Sequence, residues 1–413
     1  MSVTAAVTLE EAMAHLAAVA GPEHTHLLQD AIFVAPAGTQ QIAEVLRFAN
    51  ANGLVVTPTG GGAKMSWGNP VAPRILLSTG RMSSLREHSW QDMTCTVEAG
   101  CSWAAMQAGL ARHGQMVALD PLWPERATVG GVVATNDGGA MRLRYGPLRD
   151  LIIGMTIVLA DGTVAKSGGK VVKNVAGYDL HKLMIGSFGT LAVIADVNFR
   201  LHPVEEHART WSAQAADAAR LEAPLNALLD SQIVPSCVQM RTSNRECVVD
   251  IRIAAVPECL DQHALDLERI FDGIPLGESS HAVWQARQNL FDRAGAVILK
   301  VALLPGEICA VTAEMQRWAA AGDVEISVVA QASGLVTVAL GAVTDAVIAF
   351  VDRLRKRLRA SGGSVVALHL PDAMRGRLDV WGCESSALPL MREIKHRFDP
   401  HRILNPGRFV GSI

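Results

Sequence analysis

The chain has 413 residues, 49% of them apolar and 19% charged, with a mean hydropathy of +0.22. One hydrophobic core rarely fills that length, so two domains are expected, and the apolar content excludes general disorder. The formal net charge of −3 lacks the basic excess that phosphate-backbone binding needs, which argues against nucleic acid as a partner.

From the start of the chain, Met1 to Thr4 show neither a basic leader nor an apolar signal core. Thr8-Leu9-Glu10-Glu11 has capping-box spacing, and Gly21-Pro22 closes the apolar period after it, so a helix is expected over Leu9 to Ala20. His24-Thr25-His26 reads as an exposed turn. A second helix is expected over Thr39 to Asn52, a buried strand over Leu54 to Thr57, and then a break at Pro58-Thr59-Gly60-Gly61-Gly62. A strand over Met93 to Ala99 and a helix over Trp103 to His113 precede a long loop, Asp120 to Gly139, rich in Pro, Gly and Asn. Leu151 to Leu159 and Thr163 to Lys166 flank Asp161-Gly162, the dipeptide of a two-residue hairpin turn. A strand over Leu191 to Leu201 ends at His202-Pro203. Beyond Glu205 the glycine loops stop and Ala208 to Leu228 turns Ala-rich and helical in pattern, which puts a domain boundary near 205. Strands over Cys247 to Ala254, Val297 to Leu303, Val324 to Ala330 and Leu335 to Leu340 then alternate with helices over Asp261 to Phe271, Ala310 to Ala321 and Thr344 to Ser361, an α+β pattern.

The chemistry-bearing residues each have a bland alternative. Glycines let backbone N–H groups converge on an anion, so Gly60-Gly61-Gly62 suits a pyrophosphate, though taken alone it reads more readily as a flexible turn. The spacing is neither the dinucleotide fingerprint nor a P-loop, and Gly168-Gly169-Lys170 lacks the hydroxyl a P-loop carries. Thr128-Val129-Gly130-Gly131 and Asn136-Asp137-Gly138-Gly139 form a second cluster that also reads as two turns. Tyr178 and His369 read more readily as packing residues than as catalytic ones. The run Arg353 to Arg359 reads as the solvated face of a helix or a docking surface. Seven scattered cysteines fit neither a disulfide framework nor a zinc or iron–sulfur site, and no metal is expected.

In this order the loops resemble the FAD-binding domain of the vanillyl-alcohol oxidase (PCMH-type) flavoproteins. The residues are Pro58 to Gly62 with Gly68, Ala127 to Gly131 with Asn136, Arg144-Tyr145-Gly146, and Gly186-Ser187-Phe188-Gly189-Thr190-Leu191. Val172 to Leu180 and the tail Phe398 to Arg408 are further similar to the E-subunit family of bacterial glycolate oxidases. The resemblance implies an α+β chain with a two-subdomain PCMH-type FAD-binding domain over 1–205. A smaller α+β C-terminal domain over 206–413 would follow, its tail from about 390 returning to the flavin site.

The FAD contacts it implies are Pro58, Thr59, Gly60, Gly61, Gly62, Ala63, Lys64 and Gly68 from the first loop. Thr128, Gly130, Gly131, Asn136, Gly138, Gly139 and Tyr145 come from the second region. Gly186, Ser187, Gly189, Thr190, Val193, Ile194 and Asn405 complete the set. Relatives with covalent flavin carry His where Ala63 stands, so the FAD would be non-covalent.

The activity implied is oxidation of glycolate, a 2-hydroxy acid, to glyoxylate. The partners implied are a catalytic FAD-linked glycolate oxidase subunit and an iron–sulfur subunit that leads electrons to a quinone. The complex would be cytoplasmic and would reach the membrane only through its partners. The Glu-His-Gly motif of D-lactate and 2-hydroxyglutarate dehydrogenases is missing, Trp381-Gly382-Cys383-Glu384 standing in its region, and Phe188 replaces the usual Glu. The alternative is a self-sufficient FAD-linked D-2-hydroxy-acid (D-lactate type) dehydrogenase, with Tyr178 or His369 as base and Arg144 clamping the carboxylate. A scaffold that binds no flavin is a third reading, opposed by the intact loops.

Overall fold

The computed structural model describes residues 7–170, 177–243, 246–341, 345–382 and 386–413. Residues 172–176 of the Val172 to Leu180 motif, and Cys383-Glu384, lie outside the described residues. The chain divides into two compact units, Met1–Gly138 with Pro147–Val204 and Glu384–Ile413, and Gly139–Gly146 with Glu205–Cys383.

In the first unit the Leu9–Ala20 helix starts on a reciprocal capping box: Glu11 N donates to Thr8 Oγ1 at 3.2 Å, and Thr8 N donates to Glu11 Oε2 at 2.9 Å. With the Thr39–Ala51 helix it buries Leu16, Ile42, Val45 and Leu46 against a four-stranded sheet. The strand order there is Thr25–Leu28, Ala31–Val34, Ile75–Ser78, Val56–Thr59, the last three parallel. His24-Thr25-His26 therefore enters an edge strand rather than an exposed turn. A second, antiparallel sheet of five strands runs Leu85–Ser89, Thr94–Glu98, Val193–Arg200, Ile152–Val158, Val164–Gly168. The Trp103–Ala111 helix packs on it, with Trp103 meeting Phe199 edge to face at 6.0 Å.

Two local expectations change. The hairpin around Asp161-Gly162 closes at Leu159 and Thr163, so three residues turn the chain rather than two, with Gly162 at φ +81°. The loop from Asp120 contains a short helix, Val129–Thr135, whose Val129, Val132 and Val133 are buried in the core of the five-stranded sheet.

The second unit is an eight-stranded antiparallel sheet covered by helices Ala219–Leu229, Pro257–Ile270, Ile308–Ala321 and Asp345–Arg359. The expected helix over Ala208 to Leu228 is a correction. Ala208–Ala215 is a strand paired with Glu246–Ala254, burying Trp211, Ala213 and Ala215 in alternation, and the helix begins only at Ala219. Non-local pairing overrides the helical propensity of alanine there. The arginine run is not wholly solvated either: Arg357 pairs with Glu307 and Glu314, and Arg353 lies 4.4 Å from the Trp318 ring centroid. Among the described residues no helix is long and apolar enough to cross a membrane.

Candidate functional site

The first glycine loop leaves the parallel strand Val56–Thr59 and packs backbone to backbone against the second. A Cβ on Gly60 would lie 2.0 Å from Thr128 Oγ1, and one on Gly61 would lie 1.7 Å from the Arg126 carbonyl oxygen. No side chain fits in either place. Gly62 differs: it sits at φ +69° and the direction of its missing side chain is open. Across the gap, Thr128 Oγ1 accepts from Gly131 N at 3.3 Å, fixing the start of the Val129–Thr135 helix, and a Cβ on Gly130 would come within 2.9 Å of Ala99.

The third loop docks on the far end of that helix. Gly186 N donates to the Val133 carbonyl and Phe188 N to the Ala134 carbonyl, both at 2.9 Å, and Phe188 takes φ +55°. The tail then locks it. Asn405 Nδ2 donates to the Phe188 carbonyl at 2.8 Å while Asn405 Oδ1 accepts from the Thr57 hydroxyl at 2.7 Å. Lys395 Nζ, buried, donates to the carbonyls of Thr190 and Leu404 and to Asp399 Oδ2 at 2.6–2.8 Å. Asp399 in turn accepts from Ile403 N and Leu404 N. Burial pulls the Lys395 ammonium below its ordinary range, against the pull of Asp399. Arg408 clamps the first loop, donating to the carbonyls of Trp67, Met65 and Lys64 at 3.0–3.4 Å, and burial brings its guanidinium down to about 10.

These loops surround a largely apolar, solvent-open pocket with a few polar groups, the character of small-molecule and cofactor sites. Pro58, Thr59, Gly60, Gly61, Gly62, Ala63 and Lys64 line it, as do Thr128, Gly130, Gly131, Gly189, Val193 and Ile194. The structure does not place Gly68, Asn136, Gly138, Gly186, Ser187, Thr190 or Asn405 on its wall; most of them shape the loops behind it. Asn136 ends the Val129–Thr135 helix at φ +47°, and Gly68, at φ +81°, packs against Arg408.

Gly139 and Tyr145 belong to the second unit. Tyr145 donates to Glu205 Oε1 at 2.9 Å there, and burial with that carboxylate raises the phenol to about 12. Of the candidate catalytic residues, Tyr178 is 88% exposed and does not line the cavity. Arg144 lies 5.7 Å from the Tyr145 ring centroid, and His369 ends the strand Ser364–His369, its imidazole lowered by burial and by Arg375.

Sequence reasoning missed Arg408, Phe188, Met65, Thr79 and Thr135 on the wall, with alanines 99, 127, 134 and 192. Arg408 and Phe188 lie inside motif runs and could have been found there. The alanines carry no signal of their own.

A Gly62 whose side-chain space is open beside two glycines that tolerate no Cβ makes a backbone-lined cradle, and small apolar residues complete the wall; this donor set and shape fit FAD. The two-subdomain first unit and this cavity define a flavoprotein fold. The sequence matches the FAD binding domain family over residues 31–168 and the family of C-terminal domains of FAD linked oxidases over 243–409. The chain therefore belongs to the FAD-linked oxidases of the vanillyl-alcohol oxidase, PCMH-type family, and is an FAD-dependent oxidoreductase.

It is 29% identical to an uncharacterised FAD-linked oxidoreductase of Mycobacterium tuberculosis, covering 91% of this chain and 90% of the relative. It is 25% identical to the glycolate oxidase subunit GlcD of Bacillus subtilis, over 93% and 90% of the two chains. A D-lactate dehydrogenase of Archaeoglobus fulgidus is 38% identical over 42% of this chain and 39% of its own length. Among solved structures, an alkyldihydroxyacetonephosphate synthase matches with a TM-score of 0.74 at 16% identity, covering 98% of this chain and 86% of that one, which concerns the fold alone.

Proposed function

We propose that this chain holds FAD non-covalently in the glycine-walled cavity and acts as the E-type FAD-binding subunit of a glycolate oxidase complex. The observation that carries the reading is the contact at Gly60, Gly61 and Thr128, where two loops approach too closely for any side chain and put bare backbone on the cavity wall. In this reading Gly60 to Gly62 with Gly130 and Gly131 hold the pyrophosphate. The backbone at Val193 and Ile194 takes the adenine, and Ala63, Ala134, Phe188 and Met65 keep water from the ring. Ala63 has no nucleophile, so no bond to the flavin forms at this position.

Bound FAD supplies an acceptor that takes two electrons and can release them singly. Glycolate gives up two electrons and two protons to become glyoxylate, and the electrons pass toward an iron–sulfur subunit and a quinone. The full-length similarity to GlcD supports the complex and the 2-hydroxy-acid substrate. The cytoplasmic face of the membrane, reached through partners, is the location this reading implies.

The test begins with the purified full chain. Acid precipitation should release its flavin into solution. Anaerobic glycolate should leave the flavin of the isolated chain oxidised and bleach it only after the catalytic flavoprotein and iron–sulfur subunits are added. A second reading, a self-sufficient D-2-hydroxy-acid dehydrogenase, draws on the 38% identity to a D-lactate dehydrogenase, a match that covers 42% of this chain. Bleaching of the isolated chain by D-lactate or glycolate would select it over the first.

A further inference from the structure

Among the described residues two lysine–aspartate pairs are buried, and they are built differently. Lys395 has three acceptors for its three N–H groups, a closed arrangement whose purpose is to hold the tail. Lys64 has side-chain exposure of 5%, and its Nζ lies 2.9 Å from Asp137 Oδ2, itself at 0%. Yet that ammonium makes no aligned hydrogen bond among the described residues, and Asp137 Oδ2 is shared with the N–H of Leu122 at 2.8 Å. A buried ion pair with unspent donors is a poor way to gain stability, because desolvation offsets its attraction. Lys64 also lines the cavity while Asp137 does not, and Arg408 fixes the backbone on which Lys64 sits.

Position narrows its role. The glycine contact that would hold the pyrophosphate is at the beginning of the Val129–Thr135 helix, and Asp137 lies just past its end. Seven helical residues span roughly 10 Å. The Lys64 ammonium, paired with Asp137, therefore stands by the end of the helix away from the Thr128 contact.

We propose that the Lys64–Asp137 pair sets the reduction potential of the flavin by holding one buried positive charge beside the ring. The inference rests on the reading that the cavity takes FAD. Two-electron reduction leaves a negative charge on the ring system unless a second proton follows. A cation in dry surroundings favours the reduced form and raises the potential. Asp137 opposes it, so the two residues pull in opposite directions.

The experiment is equilibrium reduction of the FAD-loaded full chain against a reference dye, with FAD affinity measured alongside. Lys64→Met should lower the equilibrium constant for reduction about tenfold, which is about 30 mV for a two-electron couple. Asp137→Asn should raise it by a comparable factor, and Lys64→Arg should restore most of the parent value. If Lys64→Met does not fold, the opposite sign of Asp137→Asn carries the test. Potentials that stay put, or that move the same way in both variants, overturn the inference. Weakened FAD binding at an unchanged potential would instead make Lys64 a phosphate anchor, which overturns it too. A parent chain that takes up no FAD overturns the cofactor reading itself; a parent that takes it up with the variants' potentials unmoved overturns this inference alone.

Discussion

In the first unit a buried lysine stands beside a void, and in the second the buried carboxylates Asp250 and Glu205 close on donors of the same unit. Asp250, fully buried in the eight-stranded sheet, accepts from the Ser212 hydroxyl, Gln239 Nε2 and both Nε and Nη2 of Arg241 at 2.6–3.1 Å. Glu205 accepts from Tyr145 and from Arg252 Nε, each at 2.9 Å; burial raises its carboxyl, and Ser236, Tyr145 and Arg252 together outweigh this and leave it below the usual carboxylate range. Such networks are complete within the protein. The cavity wall is not: Gly60, Gly61 and Gly62 border space that the chain does not fill, and the buried Lys64 ammonium makes no aligned hydrogen bond among the described residues. Where polar groups close on each other they specify structure, and where they open on a void they await a ligand.

The largest effect that would test this contrast is at the boundary between the two behaviours. Lys395→Met removes the cation from a pair that is closed like those of the second unit but sits behind the cavity wall, leaving Asp399 buried and uncompensated. Such a change costs about 3–5 kcal/mol. Chemical unfolding should report that loss, and FAD affinity should fall with it because Thr190 and Leu404 lose their anchor. Stability unaltered within error would mean the tail is held by packing alone.

Next comes Gly61→Ala, whose Cβ would overlap the Arg126 carbonyl. FAD affinity should fall about 100-fold, roughly 2.7 kcal/mol, in a fluorescence-quenching titration. Normal binding would show the two loops free to part. In the second unit, Asp250→Asn keeps the shape but takes the charge from the network, at a cost of about 1–2 kcal/mol with Arg241 partly exposed. FAD affinity should stay within about twofold, since the bond lost is internal to that network.

The same contrast explains what could be read before the structure. Gly60, Gly61 and Gly130 are legible because close backbone approach admits only one residue type, so the constraint is written at the position itself. The capping box at Thr8 and Glu11 is legible because both partners lie three residues apart. Lys395 is not, since its acceptor on Thr190 is 205 residues away and any residue offers a carbonyl. Strands such as Ile75–Ser78 and Ala208–Ala215 are set by pairing partners remote in sequence, and an Ala-rich stretch hides the second of them. The wall alanines stay silent because small size alone distinguishes nothing.

The smallest predicted effect concerns a buried polar group of the first unit that faces neither a void nor a full network. His181 lies against the strand Val164–Gly168: its Nδ1 is 3.2 Å from Ser167 Oγ, and its N–H donates to the same oxygen at 3.1 Å. Ser167 also donates to the Tyr178 carbonyl, so His181 helps to seat the exposed Tyr178 segment. Burial lowers the imidazole below its ordinary value of 6.5, with Asp179 opposing and Lys182 adding to the shift. The unfolded chain thus binds a proton more readily than the folded one between the two values, and stability rises with pH across that window. The contribution is fully present above about pH 6.5 and is lost as pH falls through the folded value. Thermal unfolding followed from pH 7.5 down to 5 should show a decline that His181→Gln makes shallower. His281 and His369, lowered by burial in the second unit, supply remaining slope. A His181→Gln chain with an unaltered pH profile would assign the acid sensitivity to the second unit, and the seat of Tyr178 would then be insensitive to protonation.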